Sequence, residues 1–404
     1  FSCKRSEVFE TYSVVCNLFV LKDKLKEYSI NNVEFIGVTN SFIVAFNSVF
    51  PKLTVNVRQL KPEKINIWRR WFSDVRYLVE ITLVIFINKF LRVNPNIQEN
   101  TKKRFFFSLY PLMFDKENAE EKYKGFVNGD DVFAVSVVTD GLHQHVNTLR
   151  YYRYRKELLS NNKFRVSDDF LQFSDVYIGL YWLFKLTNFS RTGLPKKYIF
   201  QGINITECVK NEWRLSFSRI SRLMVLKGAF KRFFAHNNIS DVVYYLHEFP
   251  YGRLVTYVLG DQSSTINRIG FQHGPSSWRK LYYFMSKNEG AVAPPFIKHA
   301  PIPDAVMAED YESLKIYQNA GYKNISVMDR IYRLDYLDDI KLSLDQSVVL
   351  IAPGLHDVKL MLTELLPIID KNSHISYLLK LHPRAKKAVF DISSIKNLML
   401  TDEP

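Results

Sequence analysis

Short apolar runs alternate with polar turn residues and longer amphipathic stretches along the chain. The early runs NNVEFIGVTN, KKRFFFSLYP and DDVFAVSVVTDG are rich in β-branched and aromatic residues, and each ends in Asn, Pro, Asp or Gly before a helical pattern. The same alternation returns in DVVYYLHE, STINRIGFQHG and PDAVMAED. Because this repetition is typical of parallel βαβ units, the sequence predicts an α/β fold.

A mostly helical stretch separates the two groups of strands, from about residue 143 to about residue 235. Within it, Asp168 or Asp169 is expected to cap a helix. Beyond Pro301 and Pro303, strands recur in KNISVMDR, QSVVLIAPG and ISYLLKLHPR. The prolines of APPFIKHAPIP suit a stiff linker, so we predict one domain over 1–300 and a second over 301–404. The second is expected to be truncated, since a doubly wound domain needs further strand–helix units.

The composition limits the class of protein. A chain of 404 residues that is 47% hydrophobic is long enough for two cores and too apolar for disorder. Three cysteines without a CxxC pair disfavour a disulfide framework or a zinc site. The net charge of +14 favours an anionic partner such as nucleic acid, a membrane face, or acidic sugars and phosphates, although surface lysines alone also explain it.

The most apolar stretch, YLVEITLVIFINKFL, is interrupted by Glu80, Asn88 and Lys89. It falls short of the roughly 20 apolar residues that a membrane span requires. The stretch is therefore expected to form a buried helix or, together with the preceding WRRWF, to lie on a membrane surface.

Two loops carry candidate chemistry, because ligands of open α/β sheets lie beyond the carboxyl ends of strands. In LLKLHPR, a strand end is surrounded by two cations and a histidine that can donate to a phosphate oxygen. In GFQHGPSSW, His273 is followed by Gly274, which allows a close backbone approach or a positive φ, and by two serines. Either loop alone is also typical of an ordinary turn.

Together, in this order, the two loops resemble those of GT-B glycosyltransferases that use cytidine-nucleotide donors. The likeness is greatest to the retaining β-Kdo transferases of capsule, lipopolysaccharide and O-antigen assembly and to related nonulosonic acid transferases. NEWRLSFS, YYLHEFPYGRL and PIPDAVMAEDYESLKIYQNAGYKNISVMDRIYR add to the likeness, which covers roughly residues 100 to 390. The pair Tyr251-Gly252 departs from it, since the related enzymes carry Trp-Glu there.

The resemblance implies a GT-B fold, with two Rossmann-like domains and a central cleft, and a donor such as CMP-Kdo or a CMP-nonulosonic acid. The residues implied to hold the CMP phosphate are His382, Lys380, Arg384 and Arg330, or Arg333 in place of the last. The residues implied to contact the donor sugar or its carboxylate are Gln272, His273, Gly274, Ser276 and Ser277.

Two carboxylates at strand ends are candidates for sugar transfer, which needs a base or a nucleophile. Asp140 follows VVTDG and is also typical of an Asp-Gly turn. Glu248 follows YYLHE and is also consistent with a surface or ion-paired residue. The Kdo transferases imply Glu248 as the nucleophile and leave Asp140 as the acceptor base. His143 and His145 are expected to serve the acceptor site or a helix start rather than a metal.

The sequence thus predicts an enzyme that transfers an ulosonic acid from a CMP donor to an anionic bacterial glycan or glycolipid, without metal or cofactor. It is expected in the cytoplasm, either free or peripheral to the inner membrane face. A CDP-glycerol or ribitol-type phosphotransferase is the enzymatic alternative. A non-catalytic nucleic-acid-binding protein is the third, although Lys and Arg form no sustained stripe.

Overall fold

A computed structural model describes most of the chain. The described residues are 10–28, 30–60, 67–90, 101–108, 123–138, 148–192, 196–217, 220–246, 249–262, 265–278, 283–284, 302–332, 334, 348–353, 358–381 and 395–401. The chain divides into two compact units, Phe1–Asp335 and Tyr336–Pro404.

The strands are β1 Asn32–Val38, β2 Thr54–Leu60, β3 Lys103–Ser108, β4 Val132–Val135, β5 Phe164–Val166, β6 Ile199–Phe200, β7 Ile203–Asn204, β8 Ile239–Tyr245, β9 Asn267–Phe271, β10 Ala305–Ala308, β11 Ile325–Val327, β12 Val348–Ile351, β13 Ser376–Lys380 and β14 Leu398–Thr401. The α-helices are α1 Glu10–Tyr28, α2 Asn40–Val49, α3 Ile67–Phe90, α4 Thr148–Leu159, α5 Phe173–Thr192, α6 Thr206–Phe217, α7 Ile220–His236, α8 Phe249–Gln262, α9 Tyr311–Asn319 and α10 Val358–Lys371.

The first unit is built on a seven-stranded sheet in the order β11-β10-β9-β8-β3-β4-β5. Every pair of neighbours in it is parallel. The chain enters this sheet at the interior strand β3, fills one side through β4 and β5, and then returns to β8 beside β3 and fills the other side. This is the doubly wound arrangement, and it confirms the α/β prediction.

Alternation along β3 explains how both faces of the sheet are covered. Phe105 and Phe107 point to one face, where Phe107 packs edge-on against Phe230 of α7 with ring centroids 5.2 Å apart. Phe106 points to the other face and meets Tyr123 at 4.9 Å. Because both faces are buried, the strand is continuously apolar at FFF, as central parallel strands are.

A smaller layer precedes the large sheet in the chain. Strands β1 and β2 form a parallel pair of their own, joined by α2. Its core includes Phe46 and Leu18 and is completed by Ile203 and Cys208, far along the chain. Helices α1 and α2 and strands β1 and β2 therefore pack with β7 and α6 in a core separate from that of the large sheet.

The division between the units differs from the boundary expected near residue 300. Strands β10 and β11 extend the large sheet, because β10 pairs with β9 in register Val306↔Gly270. The proline that suggested a linker packs against that sheet: Pro303 Cγ would lie 3.2 Å from a Cβ added at Gly270. The unit therefore continues to Asp335.

The second unit is a three-stranded parallel sheet in the order β12-β13-β14, with α10 beside it. Its core is small and includes Ile351, Leu362 and Leu379. A parallel strand–helix unit is compatible with a Rossmann-like domain; the two-domain GT-B architecture stays a prediction.

Helix α3, expected to be either buried or interfacial, has two different faces. Leu78, Ile81 and Ile85 are buried in the main core, whereas Phe86 and Phe90 are exposed. No helix among the described residues has the length and apolar character that crossing a bilayer demands.

Candidate functional site

The carboxyl edge of the large sheet is the place where a doubly wound fold holds its ligand, at the point where the strand order reverses. Here that point lies between β3 and β8. The strand after β8 in the sheet, β9, ends at Phe271, the first residue of the predicted FQHG loop. The loop thus leaves the sheet one strand away from the reversal.

Gln272 anchors this loop to the neighbouring strand β10. Its carboxamide oxygen accepts the backbone N–H of Glu309 at 3.0 Å. Its carboxamide nitrogen donates to the Gly274 carbonyl at 2.9 Å and to Ser313 Oγ at 3.1 Å. Because the side chain is 1% exposed and both its ends are engaged, it holds the loop in shape. The expected contact of Gln272 with the donor stays a prediction.

One of the two serines of the loop binds the start of α9. Ser276 Oγ donates to Ser313 Oγ at 2.7 Å. Ser313 in turn donates its backbone N–H to Asp310, the N-cap of α9. Ser276 therefore ties the loop to the helix start, while Ser277 is half-buried beside it. The expected contact of either serine with a sugar carboxylate stays a prediction.

His273 lies against the last residue of β8. Its imidazole stacks on Tyr245 with ring centroids 4.4 Å apart, and Tyr245 stacks on Tyr123 at 4.8 Å. Both tyrosines are buried, whereas the imidazole is half-buried. The stack fixes the ring plane of His273 at the strand where Glu248 follows in sequence, so a polar imidazole edge is held at the sheet edge.

Gly274 has open space around it. A Cβ added there meets no atom within 4 Å, and Gly274 is absent from the residues with positive φ among those that the structure describes. Of the two expectations for this glycine, positive φ is therefore wrong. The other expectation, a close approach of a ligand to the Gly274 backbone, stays a prediction.

Glu309 is an acid at the carboxyl end of β10 that sequence reasoning missed. It is 6% exposed, and its carboxylate lies 3.4 Å from the carboxamide nitrogen of Gln272. Its place directly after the strand AVMA was a usable signal, since acids at that position reach the ligand edge.

The chain after β11 turns back across the sheet edge. Tyr332 packs over Phe126 and Phe271 with ring centroids 5.5 and 6.4 Å away, next to the start of the FQHG loop. Its hydroxyl donates to Asp329 at 2.6 Å, and this bond lowers the pKa of that exposed carboxyl. The guanidinium of Arg330 lies 5.2 Å from the Tyr332 ring centroid. The predicted cation is thus exposed at this edge.

Asp168 holds the chain that leaves β4. Its carboxylate accepts the backbone N–H of Val137, that of Val138 at 3.2 Å, and the hydroxyl of Ser136 at 2.8 Å. Burial outweighs these three donors and raises the pKa of Asp168 to about 7. The segment that it holds leads towards Asp140.

The helix-capping role expected of Asp168 or Asp169 is wrong. Asp168 lies in a 3-10 helix, and its carboxylate accepts hydrogen bonds from the chain that leaves β4. Asp169 pairs with Arg155 at 2.7 Å. The residue that serves the start of α5 is Asp175, which accepts the N–H of Gln172. A local pattern could not reveal this role, because Val137, whose backbone N–H donates to Asp168, is distant in sequence.

Four predicted site residues lie outside the described part of the chain: Glu248, Asp140, His382 and Arg384. Arg333, His143 and His145 lie outside it as well. In the second unit, Lys380 ends β13 and is half-buried. Among the residues that can be described, no three His, Cys, Asp or Glu side chains come together as metal ligands.

Taken together, the edge of the first unit brings His273, Gly274 and the tyrosine stack to one place, supported by Gln272 and Ser276. Comparison with known proteins adds no family to this geometry. No protein-family model matches the chain, and no curated protein matches it.

Proposed function

We propose that the protein is a glycosyltransferase that moves an ulosonic acid, Kdo or a nonulosonic acid, from a CMP-activated donor to a bacterial surface glycan. The observation that carries the proposal is the position of the FQHG loop. It leaves β9 at the carboxyl edge of a doubly wound sheet, and His273 stacks on the last residue of β8.

The loop suits a ligand better than a plain turn would. Gln272 and Ser276 are used to hold its shape, so the loop has little freedom to lose when a ligand binds. Gly274 faces open space and does not need positive φ. A backbone amide held still beside an imidazole suits the carboxylate of an ulosonic acid, to which His273 donates in this proposal.

The chemistry of the proposal uses two carboxylates. Glu248 attacks the anomeric carbon of the donor, the bond from that carbon to the phosphate oxygen breaks, and CMP leaves with the bonding electrons. The acceptor hydroxyl then attacks the same carbon, Asp140 takes its proton, and Glu248 is released. Asp168, which binds the chain just before Asp140, is a positioning residue in this scheme.

Charge supports an anionic donor and acceptor. The chain carries a formal charge of +14, and Arg330 lies exposed at the carboxyl edge of the first unit. In the second unit, Lys380 ends a strand directly before the predicted LHPR loop. Cationic side chains and histidine offset the charge that develops on a phosphate leaving group.

The test is intact-mass spectrometry after mixing the protein with CMP-Kdo, a CMP-nonulosonic acid, or CDP-glycerol. Both enzymatic hypotheses release CMP, so the identity of the productive donor, rather than CMP release, separates them. We expect a mass increase of one ulosonic acid residue that maps to Glu248 and disappears in Glu248→Gln. Glu312→Gln, an exposed acid on α9, is the matched control and should keep the adduct.

The other outcomes would each overturn a different part of the proposal. An adduct on a different residue overturns the assignment of Glu248, and turnover with CDP-glycerol alone overturns the donor. If no cytidine donor binds and duplex binding is tight and steeply salt-dependent, the protein is a nucleic-acid-binding protein instead.

A further inference from the structure

Two helices of the first unit expose a row of large apolar side chains each. On α3 the row is Phe72, Val79, Leu83, Phe86 and Phe90. These positions recur with a spacing of three or four residues, or multiples of it, so they share one face of the helix. Phe72, Phe86 and Phe90 are 64%, 61% and 77% exposed, whereas the opposite face of α3 is buried in the main core.

The row on α5 follows the same rule. Its members are Phe173, Tyr177, Tyr181 and Phe184, of which Tyr177 is 73% exposed and Phe184 61%. The buried face of α5 packs so closely on its neighbours that a Cβ added at Gly179 would lie 2.6 Å from Val225 and 2.8 Å from Leu78. Since Leu78 belongs to α3, the two helices are neighbours.

The two exposed rows meet at one end of the helix pair. The ammonium of Lys89, near the end of α3, lies 4.6 Å from the ring centroid of Phe173 at the start of α5. Both residues are exposed, so the contact lies on the surface. We call the combined rows the α3–α5 face. An exposed apolar patch of this extent on a folded unit marks an interaction surface.

Among the described side chains of α3 and α5, the exposed charges are of one sign. Arg76, Lys89 and Lys185 are exposed, and the ammonium of Lys185 lies 4.8 Å from the ring centroid of Trp182. The acids of the same helices are engaged within the protein. Asp74 pairs with Arg222 at 2.6 Å, Asp175 pairs with Arg232, and Glu80 accepts the hydroxyl of Thr148 at 2.7 Å.

We propose that the α3–α5 face docks on an anionic lipid bilayer. Aromatic side chains on a helix that lies in the interface insert their apolar bodies, and flanking cations bind anionic headgroups. A second copy of the chain suits this face less well, because a symmetric contact would bring the same cations towards each other. The inference does not depend on the proposed sugar transfer.

Vesicle flotation tests the proposal directly. The protein should float with phosphatidylcholine vesicles that contain phosphatidylglycerol, bind pure phosphatidylcholine more weakly, and be released by salt. Phe86→Ser combined with Phe184→Ser should lower the partition constant at least about tenfold. Tyr311→Ser, at an aromatic residue on α9 that is even more exposed, is the matched control and should leave binding unchanged.

The cationic part has its own pair of variants. Lys89→Gln and Lys185→Gln should each lower binding to the anionic vesicles about fivefold, whereas Lys315→Gln on α9 removes the same charge away from the face and should not. Equal losses from all three variants would mean attraction by net charge alone and would overturn the assignment of the face.

A measurement on the unsubstituted protein guards against misfolded variants. Trp68, at the start of α3, is 66% exposed, and brominated acyl chains should quench its fluorescence on binding. Trp68→Phe should remove that quenching, and Trp278→Phe should retain it. A protein that does not bind vesicles would overturn the proposal. A dimer that Phe86→Ser with Phe184→Ser converts to a monomer would show that another copy covers the face instead.

Discussion

The buried carboxyl of Asp168 makes the stability of the first unit depend on pH. Burial raises its pKa from 3.8 to about 7, although two backbone N–H groups and one hydroxyl bind the charged form. Between these two pKa values the folded chain keeps a proton that the unfolded chain has released. Raising the pH across this window therefore favours unfolding, and the effect ends above pH 7.

Replacing Asp168 by Asn isolates this contribution. The amide oxygen can still accept from Val137 and Val138, and the amide nitrogen can donate to Ser136 after the hydroxyl rotates. The asparagine side chain is uncharged at every pH. A shift of one pKa unit corresponds to about 1.4 kcal/mol. The free energy of unfolding of the wild type should therefore fall by about 2.5 kcal/mol relative to that of Asp168→Asn between pH 5 and pH 8.

The assay is urea unfolding followed by tryptophan fluorescence at several pH values. All five tryptophans precede residue 335, so the signal reports the unit that contains Asp168 and not the second unit. Asp23→Asn, at an exposed position on α1, is the matched control and should shift the free energy of unfolding little with pH. Asp168→Ala should cost about 1–3 kcal/mol at pH 5, because it leaves two buried N–H groups without an acceptor.

A difference between wild type and Asp168→Asn that is flat from pH 5 to pH 8 would contradict the raised pKa. It would mean that the three donors offset or outweigh burial, so that the carboxyl is already ionised at pH 5 in the folded chain. A wild type that gains stability on the variant as the pH rises through this window would contradict the raised pKa as well.

Three further substitutions test the site and the packing around it. Gln272→Leu should lower the free energy of unfolding by about 1–3 kcal/mol, because the Glu309 N–H and the Gly274 carbonyl that the carboxamide binds lose their partner; urea unfolding measures this. Gly274→Ala should keep the wild-type stability, since its Cβ meets nothing, but weaken binding of the cognate CMP-sugar in calorimetry; unchanged affinity would contradict close approach at Gly274. Gly228→Ala should cost about 1–3 kcal/mol, because its Cβ would overlap the Asp175 carboxylate, while Gly129→Ala, with open space, should cost far less.

Many of the strands could be predicted because their signals are local. KKRFFFSLYP, DVVYYLHE and STINRIGFQHG each contain an apolar run closed by a turn or polar residue, and they became β3, β8 and β9. Shorter strands were missed. β5 has only three residues and lies within a stretch read as helical, where too few positions alternate to set a strand apart.

The order of the strands in the sheet depends on tertiary pairing, which local sequence patterns do not show. Nothing local to Pro301 and Pro303 shows that β10 will pair with β9 and extend the first sheet, so a linker and a domain boundary were expected there. The same holds for β1 and β2, which look like any other βαβ unit and yet pair with each other apart from the large sheet.

By itself, the sequence determined the α/β class and the residues that follow the strands, since both depend on short-range periodicity and turn chemistry. His273 and Gly274 were found in this way. Only the tertiary structure decided that the side chain of Gln272 holds the loop in shape, and that Asp168 binds the chain that leaves β4. The bonding partners of a buried polar group come from distant parts of the chain, and burial, which sets its pKa, exists only after the chain has folded.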